Sequence, residues 1–167
     1  MTALAVARLL AMRGDTLAVA ESSTGGLILS QLTDVAGASV WLRGGLVPYT
    51  NNAKRDILGV PGETLAVHGA VSAETALALA RGAARLFDAT WAIGETGIAA
   101  PAAGRRSAKA AGLTYLAIVG VCDGSPIERI EQRQLDTVDD RVAVKRAFAD
   151  AALALMLEIL TACSRHV

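Results

Sequence analysis

The sequence is short of the residues that most often announce a chemistry. Two histidines, His68 and His166, and two cysteines, Cys122 and Cys163, are spread over 167 residues. No Cys, His and carboxylate cluster has metal-ligand spacing, which argues against a zinc site or a histidine-based triad. Two cysteines so far apart read as reduced, buried thiols rather than a disulfide, which fits a cytoplasmic protein. Aromatic residues make up 4% of the chain, and sixteen basic residues balance sixteen acidic ones. That balance gives no electrostatic footprint for nucleic acid. No apolar run approaches the roughly 20 residues that span a bilayer. The amphipathic start, Met1 to Arg13, lacks the apolar block and small-residue cleavage site of a signal peptide.

What remains is an Ala-, Leu- and Val-rich chain, 53% hydrophobic. Its length suits one domain, over 1–167, with a substantial core. Apolar periodicity predicts helices over Thr2–Met12, Leu27 to about Asp34, Asn51 to Leu58, Glu63–His68 and Ser72–Phe87, the last with Ala76, Leu79, Ala80, Ala83, Leu86 and Phe87 on its buried face. Thr137 and Asp140, at capping-box-like spacing, open a final helix to about Thr161 with Phe148, Ala152, Leu155, Ile159 and Ala162 as its apolar seam. A short helix is expected at Ser39–Leu42. Strands are expected at Leu17–Ala20, Gly44–Tyr49, Thr90–Gly94, Leu113–Val121 and Ile127–Asp136. The alternation predicts a three-layer α/β/α sandwich around a mixed sheet of about five strands.

The chain is organised around Ala20-Glu21-Ser22-Ser23-Thr24-Gly25-Gly26. Hydroxyls and glycines at a strand-to-helix junction can cradle an anion on free N–H groups or seat a serine nucleophile. They also suit an ordinary capped helix, so both readings stand at this point. A second cluster, Tyr49-Thr50-Asn51-Asn52-Ala53-Lys54, follows the second strand. Lys54 falls in a first helical turn, where the dipole disfavours a cation. That conflict marks either a site or a surface lysine. A third cluster, Glu95-Thr96-Gly97-Ile98, follows the third strand and leads into a small, basic stretch, 102–111, read as a mobile loop or flap. His68, next to Gly69, reads as a helix C-terminal residue and not a base. Ligands gather at strand carboxyl ends in such sheets, so the three clusters are expected to share one pocket.

These clusters, with Leu58-Gly59-Val60-Pro61, His68-Gly69-Ala70-Val71-Ser72 and Thr96-Gly97-Ile98-Ala99, resemble the CinA C-terminal domain family over nearly the whole chain. Many members are nicotinamide-nucleotide amidohydrolases, which convert nicotinamide mononucleotide to nicotinate mononucleotide and ammonia. Some carry a second, pyrophosphatase-type domain, for which this length leaves no room. The resemblance implies Ser22 as nucleophile, Lys54 as base and Tyr49 as proton relay. It implies donors to an oxyanion or phosphate from Thr24, Gly25 and Gly26, and a pocket lined by Asn51, Thr96 and Gly97. Arg141 matches a family arginine that holds an anion. No metal or cofactor is implied. The expected partner is a small nucleotide or phosphate, not nucleic acid or membrane, and the expected assembly is a homodimer.

The sequence departs from the family pattern in places. Ser23 replaces the common cysteine, and Asn52 an acidic residue. Glu95 stands where an apolar or small residue is usual, and would repel a phosphate unless paired with Arg105, Arg106 or Lys109. The loop 99–112 loses a glycine and a proline. The alternative function is therefore a diverged, non-catalytic member that binds a nucleotide or a partner protein.

Overall fold

A computed structural model describes residues 2–100 and 108–163. The elements in chain order are α1 (Thr2–Arg13), β1 (Leu17–Glu21), α2 (Leu27–Thr33), β2 (Leu42–Leu46), α3 (Asn51–Leu58), α4 (Gly62–Val67), α5 (Ala73–Phe87), β3 (Trp91–Ile98), β4 (Leu113–Cys122), β5 (Ser125–Gln134) and α6 (Arg141–Cys163). The strands form one five-stranded sheet in the order β2-β1-β3-β4-β5. The β2/β1 and β1/β3 pairs are parallel, and β3/β4 and β4/β5 are antiparallel. This is the expected α/β sandwich with a mixed sheet.

Period-2 alternation divides the sheet into two unlike faces. Leu17, Val19, Trp91, Ile93, Leu116 and Ile118 face α1, α2 and α6. Ala18, Ala20, Ala92 and Ala117 face α5. Small residues on that second face let α5 lie almost on the strands. A Cβ at Gly94 would stand 2.1 Å from the Ala76 carbonyl oxygen and 2.7 Å from the Ala80 nitrogen. Gly94→Ala should therefore destabilise the domain by about 3 kcal/mol or more, since backbone on both sides must move. The urea midpoint of the variant measures it.

Several expected boundaries shift. Ala38–Val40 is a single 3₁₀ turn, and Leu42 already belongs to β2. That strand ends at Leu46, so Val47-Pro48-Tyr49 forms the link to α3. The third strand continues to Ile98, with Glu95 opposite Leu116, Thr96 opposite Tyr115 and Gly97 opposite Thr114. The supposed strand-end loop is strand, because a neighbouring β4 supplies partners that no apolar pattern announces. At the β4–β5 hairpin the turn is Asp123-Gly124, with φ of 50° and 78° at the two positions. Asp-Gly is favoured there because the twist of the strands demands positive φ. The β5 strand accordingly begins at Ser125, and Pro126 lies on an edge strand. For α6, Asp140 accepts from Val142 N–H at 2.8 Å and Ala143 N–H at 3.3 Å, and Thr137 lies outside the cap. On its apolar seam Phe148, Ala152, Leu155 and Ile159 are buried as expected, whereas Ala162 is exposed. On α5, Leu86 is exposed, not buried.

The reading of Cys122 and Cys163 as separate thiols is overturned. They form a disulfide, with a Cα separation of 5.6 Å. The ends of β4 and α6 meet because α6 packs along the sheet, which spacing along the chain does not reveal. The inference of a reducing compartment loses that support. Among the described residues, no helix is long and apolar enough to cross a membrane. Of the predicted flap, 102–111, residues 102–107 lie outside the described residues.

Candidate active site

The β1 and β2 strands run parallel side by side, so their carboxyl ends open on the same edge of the sheet. Ser22 follows β1, and α3 follows β2. Thr50 caps α3 by accepting from Ala53 N–H at 3.1 Å, which fixes the helix start at Asn51 and puts Lys54 in the first turn. From there the Lys54 side chain turns inward. It is only 2% exposed, and its Nζ lies 3.0 Å from Ser22 Oγ and 2.8 Å from the Pro48 carbonyl oxygen. Of the two readings of Lys54, the surface lysine is excluded. Burial holds its pKa below the ordinary 10.5, and the negative charge of Glu95 opposes that shift without cancelling it.

Below this pair lie two fully buried carboxylates. Glu21 and Glu95 are direct neighbours in the β1/β3 register. Glu21 accepts from Ile28 N–H at 3.1 Å, Leu29 N–H at 3.0 Å and the Thr24 hydroxyl at 2.5 Å. It therefore caps α2 from below, satisfying N–H groups that were candidates for a bound anion. Glu95 accepts from Ser22 N–H at 2.9 Å, Thr24 N–H at 3.2 Å and Thr114 Oγ1 at 3.2 Å. The Ser23 hydroxyl also donates to it, and Thr24 Oγ1 lies 3.0 Å away.

This network corrects two expectations, those for Thr24 and for the pairing of Glu95. Thr24 is fully buried, and both its N–H and its hydroxyl are directed at carboxylates inside the protein, so it offers no donor to a ligand. Gly25 and Gly26 have φ of 63° and 98° and serve the turn into α2. Neither is among the residues lining the cavities at the serine. Glu95 is paired with hydroxyls and N–H groups of the Ser22 loop, not with Lys109 as the phosphate argument required. Lys109 instead donates to the carbonyls of His68, at 3.3 Å, and Val71. Arg105 and Arg106 lie outside the described residues.

A cavity of about 270 Å³ opens on Ser22 and Lys54, with Tyr49, Thr96, Gly97 and Arg141 in its wall. Thr96 itself donates to the Ala70 carbonyl at 2.7 Å and is 1% exposed, so it shapes the wall. Across Tyr49, Ala70 and Val71 lies a wider cavity of about 690 Å³, lined also by Asn51, Asn52, His68 and Lys109. Tyr49 is 62% exposed, and its hydroxyl accepts from Arg141 Nη2 at 3.3 Å. No hydrogen bond among the described residues joins that hydroxyl to Lys54 or Ser22, and Lys54 reaches Ser22 directly. Tyr49 stands on the rim of the cavity beside Arg141. His68 caps the end of α4, as expected. Among the described residues, no group of three or more His, Cys, Asp or Glu side chains could hold a metal ion.

Sequence reasoning missed Pro48 and Glu21. Pro48 matters through its carbonyl, which carries no residue-specific signal. Glu21 had one: a carboxylate immediately before a Ser-Ser-Thr-Gly-Gly turn into a helix is placed to answer that helix's N–H groups.

A three-layer α/β/α domain with a buried lysine on a strand-end serine defines the class of site. Comparison with known proteins gives the family. Residues 1–160 match the model of the CinA C-terminal domain. A CinA-like protein of Anaeromyxobacter dehalogenans is 45% identical over 153 residues, covering 92% of this chain and 36% of that protein. A CinA-like protein of Geobacter sulfurreducens is 52% identical over 114 residues, covering 68% of this chain and 27% of that protein. The crystal structure of a competence/damage inducible protein, CihA, from Agrobacterium tumefaciens superposes with a TM-score of 0.84 at 37% identity. That match covers 96% of this chain and 95% of the other. The chain belongs to the CinA C-terminal domain family. It spans little more than a third, or less, of the length of these curated relatives.

Proposed function

We propose that this domain is an amidohydrolase in which Ser22 is the nucleophile and Lys54 its general base. The observation that carries this reading is the 3.0 Å approach of a buried Lys54 Nζ to Ser22 Oγ. A neutral lysine amine has two N–H groups and one lone pair. One N–H donates to the Pro48 carbonyl, and the lone pair is then free to accept the Ser22 proton. Burial, by holding the pKa down, raises the neutral fraction near pH 7.

The steps follow from that geometry. The Ser22 O–H bond breaks as Lys54 takes the proton, and Oγ bonds to the amide carbon while the carbonyl electrons move to oxygen. On collapse the C–N bond breaks, and the Lys54 ammonium returns its proton to the departing nitrogen, giving ammonia. Water, deprotonated by the same amine, then attacks the acyl carbon, the C–Oγ bond breaks, and the Lys54 ammonium returns that proton to Ser22 Oγ, releasing the acid and restoring the pair.

Family resemblance makes nicotinamide mononucleotide the substrate of choice, with nicotinate mononucleotide and ammonia as products. The cavity dimensions support a small planar amide at Ser22 and a bulkier polar remainder across Tyr49. Arg141 and Lys109 flank that path and suit an anionic substituent. The reading includes a homodimer and no nucleic-acid partner. Purified protein should release ammonia from nicotinamide mononucleotide, and Ser22→Ala should not. A folded wild-type protein that releases none would leave the alternative, a non-catalytic member that binds a nucleotide or a partner.

A further inference from the structure

The Glu95 carboxylate does more in this structure than fill a core position. Its side chain is fully buried, and its donors converge from two directions. From the loop after β1 come the N–H groups of Ser22 and Thr24 and the hydroxyl of Ser23. From β4 comes the hydroxyl of Thr114. Ser22 thus sits between two groups of opposite character. Its N–H donates to Glu95 at 2.9 Å, and its Oγ meets Lys54 at 3.0 Å.

We propose that Glu95 is a positioning residue of this site: it pins the Ser22 main chain and serves as the buried counter-charge to the ammonium that forms on Lys54 when Ser22 attacks. The proposal rests on the reading of Ser22 and Lys54 as a nucleophile and base. A proton moving from Ser22 to Lys54 creates a cation in a nearly dry site, where the field of a fixed buried anion is worth most. Glu95 meets that need without competing for the proton path, because hydroxyl and N–H donors already hold it in place.

Other charges near Lys54 do not duplicate this. Glu21 is committed to the N–H groups of α2 and to Thr24. Arg141 and Tyr49 face each other at the rim, and His68 and Lys109 lie around the wider cavity. Among the described residues, Glu95 is the charge that raises the proton affinity of Lys54 against the effect of burial.

The test uses the full chain and needs no substrate. The sequence contains three lysines, Lys54, Lys109 and Lys145, so a ¹³Cε-lysine NMR titration can follow Lys54, identified by the signal lost in Lys54→Met. Glu95→Gln keeps an oxygen for the Ser22 and Thr24 N–H groups and an amide for the Ser23 and Thr114 hydroxyls, but removes the charge. Its Lys54 midpoint should fall by about one pH unit. An unchanged or higher midpoint overturns the counter-charge role. Glu95→Asp keeps the charge and withdraws it by one methylene. Labelling of Ser22 by a fluorophosphonate should slow by about tenfold or more, because small misplacements of a nucleophile are costly. Labelling at the wild-type rate overturns the positioning role, and this variant decides if Glu95→Gln does not fold. Loss of the amidohydrolase reading would appear separately, as absent ammonia release with the Lys54 midpoints still responding to Glu95.

Discussion

Ser22→Ala should lower ammonia release from nicotinamide mononucleotide by about 10³-fold or more while leaving the fold intact. The size of the loss follows from what the hydroxyl does. It forms the new bond to the amide carbon, so no neighbour can substitute. The hydroxyl of the adjacent Ser23 is already directed at Glu95. The fold should survive because the Ser22 hydroxyl is not among the donors that hold the loop. Those are the N–H groups of Ser22 and Thr24 and the hydroxyls of Ser23 and Thr24. Circular dichroism and a steady-state ammonia assay on the same preparation separate the two quantities. A variant with wild-type turnover would move the chemistry away from Ser22.

Lys54→Met should have two effects of opposite sign. Its kcat/KM should fall by about 10³-fold, within the range for losing a general base. Its stability should rise. The methionine fills nearly the same volume without placing a cation in a site that is 2% exposed. Glu95 would not be stranded, since N–H and hydroxyl donors from the Ser22 loop and Thr114 still satisfy it. The pH dependence gives the sharper check. The folded-state pKa of Lys54 lies below its unfolded value near 10.5. Between the two, the unfolded chain binds more protons, so wild-type stability rises with pH through that window. The advantage of Lys54→Met should therefore be greatest below the lowered pKa, about 1 kcal/mol or more, and vanish above about pH 10.5. In wild type, kcat/KM should rise with pH as Lys54 loses its proton, and that limb should be missing from the variant. Denaturant unfolding at several pH values reads the first effect, and a pH–rate profile the second.

Much of the architecture was legible in the chain. Buried strands such as Leu17–Ala20, and helices such as Ser72–Phe87, announce themselves because apolar spacing records which face meets the core. The boundaries that moved lie where that record fails. Glu95-Thr96-Gly97 has no apolar alternation, and only pairing with Thr114, Tyr115 and Leu116 makes it strand. Local physics marked the hydroxyl-rich turn after the first strand and a lysine out of place in a first helical turn, and resemblance gave Ser22 and Lys54 their roles. The disulfide escaped, because it depends on which element ends meet.

By itself, the sequence determined the layers, the family and the identity of the nucleophile and base candidates, since hydrophobic period and short motifs are properties of neighbours along the chain. The tertiary structure alone decided that Ser22 and Lys54, thirty-two positions apart, stand 3.0 Å from each other. It also decided that Glu95 lies against the Ser22 loop. Both follow from strand register. Parallel β1 and β2 bring two loops to one edge of the sheet, and parallel β1 and β3 set Glu95 beside Glu21. Burial then does the rest. Away from water, a lysine loses affinity for its proton and a carboxylate must gather every donor within reach.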